Sequence, residues 1–201
     1  MKKNALLIAA LCALSATGAW AQSTDFTAGS WLVRARAVHI DSANKDSTGL
    51  GLTVNNKWIP EVDVSYFFDK NLAAELILTV PQKHTVYSNG AAIGSLRHLP
   101  PTLTLQYHFD RMSGFKPYLG AGLNYTRFSS VDILGGAANV SRNSFGPALQ
   151  AGVDIELARN LYLNLDVKKV WIKTTVSAGG TDVGSFKVNP TLFGVGLGYR
   201  F

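Results

Sequence analysis

The feature that most constrains this chain lies at its C-terminal end, where Phe193, Val195, Leu197, Tyr199 and Phe201 interleave with Gly194, Gly196, Gly198 and Arg200. A period of two marks a β-strand with unlike faces, here one bulky and apolar, the other small or charged. The pattern recurs in Leu103, Leu105, Tyr107 and Phe109 against Thr102, Thr104, Gln106 and His108. It returns in Leu149, Ala151, Val153, Ile155 and Leu157 against Gln150, Gly152, Asp154 and Glu156, and in Leu161, Leu163, Leu165 and Val167 against Tyr162, Asn164, Asp166 and Lys168. After residue 21 the longest run free of acidic and basic residues is the 13 residues from His84 to Leu96, broken by Ser88-Asn89-Gly90. No membrane-spanning helix fits there. With 47% hydrophobic and 16% charged residues, the 201-residue chain folds, and it has the size of one domain.

Eight such segments are expected, at about 29–41, 53–68, 72–86, 97–109, 116–129, 143–157, 161–176 and 186–201. Their connections alternate between short turns (69–71, 110–115, 158–160) and longer loops (42–52, 87–96, 130–142, 177–185). That rhythm, with strands longer than the ~10 residues needed to cross a bilayer, predicts an all-β fold: an eight-stranded antiparallel up-and-down transmembrane β-barrel over residues 22–201. Aromatic residues gather where two interfacial girdles belong, with Tyr66, Phe68, Tyr107, Phe109, Tyr199 and Phe201 on the short-turn side and Trp58, Tyr125, Phe145 and Trp171 on the other. A soluble lipocalin-like barrel would instead turn its apolar face inward and would need no aromatic belts.

Residues 1–21 read as a cleaved signal peptide: Met1-Lys2-Lys3, an apolar stretch from Ala5 to Leu14, then Ala19-Trp20-Ala21 before Gln22. The single cysteine, Cys12, would leave with it, and Ala9 and Leu11 do not fit a lipoprotein signal. The expected destination is the bacterial outer membrane.

An eight-stranded barrel encloses just enough space for side chains or one small ligand, which excludes a general water-filled porin. Alternation sends Arg34, Arg36, Glu61, Asp63, Glu75, His108, Asp154, Glu156, Asp166 and Arg200 inward, mostly in the short-turn half. Buried charges must pair, so these residues are expected to form a salt-bridged plug, a structural role preferred to catalysis. Above it the inward positions are apolar: Val38, Ile40, Ile59, Ile77, Phe128, Ala148, Val170, Ile172, Val188 and Leu192. Such a lumen favours small hydrophobic molecules, each buried methylene gaining about 0.8 kcal/mol, over ions and sugars, which lose hydration.

Prolines suggest where a ligand would leave. Pro60, Pro81 and Pro100-Pro101 fall inside three successive strands, 8, 9 and 9 residues from Phe68, Leu72 and Phe109. At about 3.3 Å per residue and a tilt of about 40°, that is roughly 23 Å, near the upper edge of an apolar band about 25 Å tall. Proline cannot donate to a ladder. Each alone reads as a tolerated bulge; together at one depth they predict a lateral opening toward the outer leaflet.

Several segments carry a family resemblance: His98-Leu99-Pro100-Pro101-Thr102-Leu103, Pro117-Tyr118-Leu119-Gly120-Ala121-Gly122-Leu123-Asn124-Tyr125-Thr126, Ala151-Gly152-Val153-Asp154 and Gly198-Tyr199-Arg200-Phe201. In order and spacing the chain resembles the OmpW family of outer-membrane proteins, and Leu105 to Asp110 with Asn164 to Val167 look closer to its AlkL-like branch. Lys168-Lys169 departs from the aromatic residues of other members. The resemblance implies an eight-stranded barrel with a narrow hydrophobic lumen that opens sideways and passes small apolar molecules. Tyr199 and Phe201 resemble the C-terminal signal read by the barrel-assembly machinery.

No catalytic constellation stands out. His39, His84, His98 and His108 read as isolated, so neither a metal nor any other cofactor is expected, and Thr85 and Ser88 near His84 only loosely imitate a hydrolase pair. The basic balance, Lys+Arg 19 against Asp+Glu 13, comes without a nucleic-acid platform. Lys57, Arg127, Arg142, Lys169 and Lys173 near the upper rim suit anionic headgroups such as those of lipopolysaccharide. The expected activity is passive diffusion of small hydrophobic molecules. The competing expectation is a structural or surface-recognition barrel without a permeant.

Overall fold

The computed structural model describes residues 26–201; the expected signal peptide at 1–21 lies outside the described residues. Eight staves form the wall: β1 (Trp31–Asp41), β2 (Lys57–Phe67), β3 (Leu72–Thr79), β4 (Thr102–His108), β5 (Phe115–Ile133), β6 (Asn143–Ala158), β7 (Leu161–Val170) and β8 (Thr191–Arg200). Each pairs antiparallel with its neighbours in sequence, and β8 returns to β1 through Leu32–Arg200 to Asp41–Thr191, closing the sheet. Closure removes the free edges that an open sheet would present.

Alternation sets the sidedness. Along β1, Leu32, Arg34, Arg36, Val38 and Ile40 are buried, whereas Trp31, Ala35 and Ala37 face out. The outward rows carry Leu103, Leu105, Leu119, Leu123, Leu149, Leu165, Phe193 and Leu197, all exposed. Apolar outside and polar inside inverts a soluble barrel and suits a wall immersed in lipid. Trp31, Phe68, Tyr107, Phe109, Phe115, Tyr199 and Phe201 are exposed at the short-turn end, and Trp58, Tyr125 and Phe145 at the other.

The structure corrects the strand list above the bilayer. The segment expected as one strand over 72–86 breaks at Val80-Pro81, and that over 97–109 breaks at Pro100-Pro101. Beyond the breaks, Gln82–Ser88 and Ala91–Leu99 form a hairpin. Its turn, Asn89-Gly90, has positive φ at both residues (47° and 84°), the geometry that matches strand twist in a two-residue connection. The strand expected over 161–176 likewise ends at Val170, and Lys173–Ala178 pairs with Thr181–Lys187 across Gly179-Gly180. All four longer connections expected as loops therefore carry paired strands, raising the barrel past the membrane; the 42–52 segment contributes the short Lys45–Asp46 and the start of Leu52–Val54, which pairs with Gln82–Ser88.

Candidate functional site

The lower lumen is built outward from Arg34 and Arg36, which β1 points at the axis. Arg34 reaches Asp63 (2.9 Å) and Ser65 (3.0 Å) on β2 and donates twice to Asp154 on β6, at 3.1 and 2.7 Å. Arg36 binds Asp63, Glu75 (2.9 Å) and Asn164 (3.0 Å) and lies 3.0 Å from Glu61. Lys168 bridges Glu61 (2.7 Å) and Asp166 (2.8 Å). Three cations thus meet five carboxylates, and neutral donors supply the balance. Thr104 and Gln106 donate to Glu75 (3.0 and 2.8 Å), Tyr118 and Gln150 to Asp166 (both 2.7 Å), and Asn164 to Asp154 (2.9 Å). Arg34, Asp63, Glu75 and Asp154 are all 0% exposed, a burial tolerable only because every lone pair has a donor near it. Two glycines make room: a Cβ at Gly152 would strike the Tyr118 ring, and one at Gly196 would strike Arg36 and the Ala35 carbonyl.

The expected plug residues do not all join this network. His108 lies at its lower edge, bound to Gln106 (3.0 Å), stacked on Tyr118 and tilted against Phe67. Glu156 stands apart: it is partly exposed at the short-turn rim and pairs with Arg111 at 2.7 Å. Arg200 is buried but sits lower, donating to Asn160 at 2.7 Å. Alternation assigns a face, not a height, and both residues lie at strand ends. Conversely, the plug list omitted Lys168, Tyr118, Gln106, Gln150, Asn164 and Thr104, although their inward parity was readable. Phe26 had no such signal. It precedes β1 and turns back under the barrel, stacking on Phe67 at 4.2 Å with Leu32, Ala73 and Tyr162 around it.

Above the charges the lumen turns apolar. Val38, Ile40, Ile59, Phe128, Ala148, Val170, Ile172, Val188 and Leu192 are buried in one continuous cluster, and Ile77 is buried beside it. Two spaces lie within it. The lower, of about 30 Å³ inside a wider region of roughly 540 Å³, is lined by Ile40, Ile59, Ile77, Ile172 and Leu192, with Glu61 and Lys168 and with His84, His98 and Pro100. The upper, also about 30 Å³, has a wholly apolar lining that includes Leu52, Val86, Leu96, Ile133, Val176 and Phe186. His84 and His98, read from the sequence as isolated, stack at 4.7 Å. The hairpin beyond Pro81 brings them together, a cross-strand contact invisible to local pattern.

The prolines gather at a seam in the wall. The β2–β3 ladder stops at Glu61–Thr79 and the β3–β4 ladder at Ile77–Thr102. Higher up, Thr79 donates to the Pro60 carbonyl (2.6 Å) and Asn124 to the carbonyls of Pro100 and Pro101 (3.1 and 3.2 Å), Gln82 turns back on the Val80 carbonyl of its own segment (2.8 Å), and one backbone bond, Tyr125 N–H to Pro101 (3.0 Å), remains. Outside the seam, Pro60, Glu61, Val62, Leu78, Thr79 and Val80 line an open groove of about 260 Å³, so Glu61 and Thr79 border both groove and lower chamber. The opposite wall also breaks near prolines, but backbone bonds span it: Val170 N–H to Pro190 (3.1 Å), Trp171 N–H to Pro147 (3.1 Å) and Val188 N–H to Ile172 (3.0 Å).

Known proteins share this fold. The model of the OmpW family matches residues 27–201. The chain is 40% identical over 182 residues to the uncharacterized outer-membrane protein y4mB of Sinorhizobium fredii, covering 85% of this chain and 80% of that one. It is 33% identical to outer membrane protein W of Vibrio cholerae over the whole length of both. The crystal structure of the outer membrane protein OprG from Pseudomonas aeruginosa superposes with a TM-score of 0.78 at 25% identity, covering 90% of this chain and 99% of the other. Closed wall, inverted sidedness and a family match along nearly every described residue converge: the chain belongs to the OmpW family and is a β-barrel of the bacterial outer membrane.

Proposed function

We propose that this barrel carries small hydrophobic molecules through the outer membrane by passive diffusion, from the extracellular mouth into the apolar upper lumen and out sideways into the bilayer. The observation that carries the reading is the seam. An apolar chamber floored by ion pairs adjoins a stretch of wall where side chains replace backbone ladder bonds, and a groove lies directly outside. In this reading Arg34, Arg36, Glu61, Asp63, Glu75, Asp154 and Asp166 close the downward route, with Phe26 beneath them. Pro60, Pro81, Pro100 and Pro101 keep the lateral route unlaced. An ion or a sugar loses more hydration than the chamber returns, whereas each methylene of an apolar solute gains about 0.8 kcal/mol.

Arg127, Arg142 and Lys173, exposed toward the upper rim, are suited to lipopolysaccharide phosphates. Tyr199 and Phe201, exposed at the lower rim, suit recognition by the barrel-assembly machinery. The lumen groups serve as floor and walls, not as catalysts.

Replacing Pro81, Pro100 and Pro101 together with threonine gives each position an N–H for the missing ladder bonds. Uptake of an apolar probe by cells carrying this variant should fall several-fold while the protein still migrates as a folded barrel in unheated gels. Undiminished uptake would defeat the lateral route. A deletion strain that takes up apolar compounds normally but loses adhesion or phage binding would favour a surface-recognition barrel instead.

A further inference from the structure

Among the described residues that line the lower chamber, His84 carries a fully buried nitrogen that no protein group satisfies. His84 is 1% exposed and lines the chamber. Its Nδ1 lies 3.0 Å from the Asn55 carbonyl. A carbonyl oxygen only accepts, so Nδ1 carries the proton, and in the neutral ring Nε2 is then a bare acceptor. Asn55 is itself fixed, its side-chain oxygen taking the Thr85 N–H at 2.9 Å, and the ring is held flat against His98. Nε2 is buried and has no hydrogen-bond partner. Such an atom forfeits about 1–3 kcal/mol unless something donates to it, and the chamber is the space next to it.

We propose that His84 Nε2 is a docking point for a single hydrogen-bond donor on an otherwise apolar guest, so that the chamber prefers phenols and alcohols over hydrocarbons and ethers of the same shape. The inference rests on the permeation reading above and names the substrate class of that site. The free volume of about 30 Å³ holds a hydroxyl group, and the apolar body of a guest packs among Ile40, Ile77, Ile172 and Leu192, which shift to admit it. The imidazole stays neutral, its pKa held down to about 4 mainly by burial, so Nε2 keeps its lone pair at physiological pH. A donor is therefore rewarded there, and an ether oxygen meets another lone pair.

The test compares p-cresol with its methyl ether, 4-methylanisole, bound to the wild-type barrel in lipid nanodiscs and referenced to empty nanodiscs. One recovered neutral hydrogen bond corresponds to an affinity ratio of about fivefold in favour of p-cresol. The ¹⁵N resonance of His84 Nε2 should move with p-cresol and stay in place with the ether. In His84→Phe, which keeps a ring against His98, the affinity ratio should fall to one. Equal binding of the two compounds to the wild type, or a ratio that survives His84→Phe, overturns the hydroxyl preference while leaving the permeation reading intact. Binding of neither compound overturns both. The wild-type comparison stands even if the variant fails to fold.

Discussion

At the scale of single residues the lumen depends on complete pairing. Asp154 receives two bonds from Arg34 and one from Asn164. Arg34→Met keeps most of the volume and leaves Asp63 and Asp154 short of donors, so it should destabilise the barrel by about 3–5 kcal/mol. Tryptophan fluorescence during urea unfolding in lipid vesicles would measure this; a loss below about 1 kcal/mol would mean that the cluster is hydrated. Much of the network was legible in the sequence, because strict alternation puts Arg34, Arg36, Asp63 and Asp166 on one face. Lys168 belonged to the same inward row, yet with Lys169 beside it parity alone did not single it out. Lys168 reaches Glu61 across the lumen, and Lys169 instead caps the Asn189 carbonyl at 2.6 Å. Height along the axis, which separates Glu156 and Arg200 from the others, is fixed by stagger between strands and has no local code.

At the scale of elements, the hairpin Gln82–Ser88 with Ala91–Leu99 is the part that sequence reading misassigned. Its polar composition and Asn-Gly turn resemble a loop, while its inward residues Val86 and Leu96 find a core only when the neighbouring extensions surround them. Its two histidines make it sensitive to acid. Burial is the main reason that His84 titrates at about 4 and His98 at about 3, with Lys57 adding to both and His84 adding to His98. Unfolded, each would bind a proton near the ordinary 6.5. The folded hairpin therefore keeps its full stability above about pH 6.5 and loses it progressively as pH falls toward 4 and below. Hydrogen exchange of residues 82–99 should accelerate between pH 7 and pH 4.5, after correction for intrinsic rates, relative to the same residues in His84→Leu/His98→Leu. An identical pH profile in that variant would assign the effect to other groups.

At the scale of the whole molecule, one barrel carries three environments in series: an aromatic base around Phe26, an ion-paired floor and an apolar upper lumen beside the stretch of wall that holds Pro60, Pro81 and Pro100. The order follows from where each strand places its polar and apolar inward residues, which is why fold and lumen polarity could be read before the structure. The seam could be anticipated from proline depth, but not its stitching by Thr79 and Asn124, since their partners come from different strands. The central claim is that molecules cross the wall at this seam. Thr79 and Pro100 lie two positions past the Ile77–Thr102 end of the ladder on adjacent strands, and Cys12 is the chain's only cysteine. A Thr79→Cys/Pro100→Cys barrel, with Cys12 absent from the purified protein, can be joined there by oxidation or a short bismaleimide. Uptake of an apolar fluorescent probe into vesicles should drop to the protein-free rate when the pair is joined and return on reduction of the disulfide; equal uptake in the joined and open states would contradict the account.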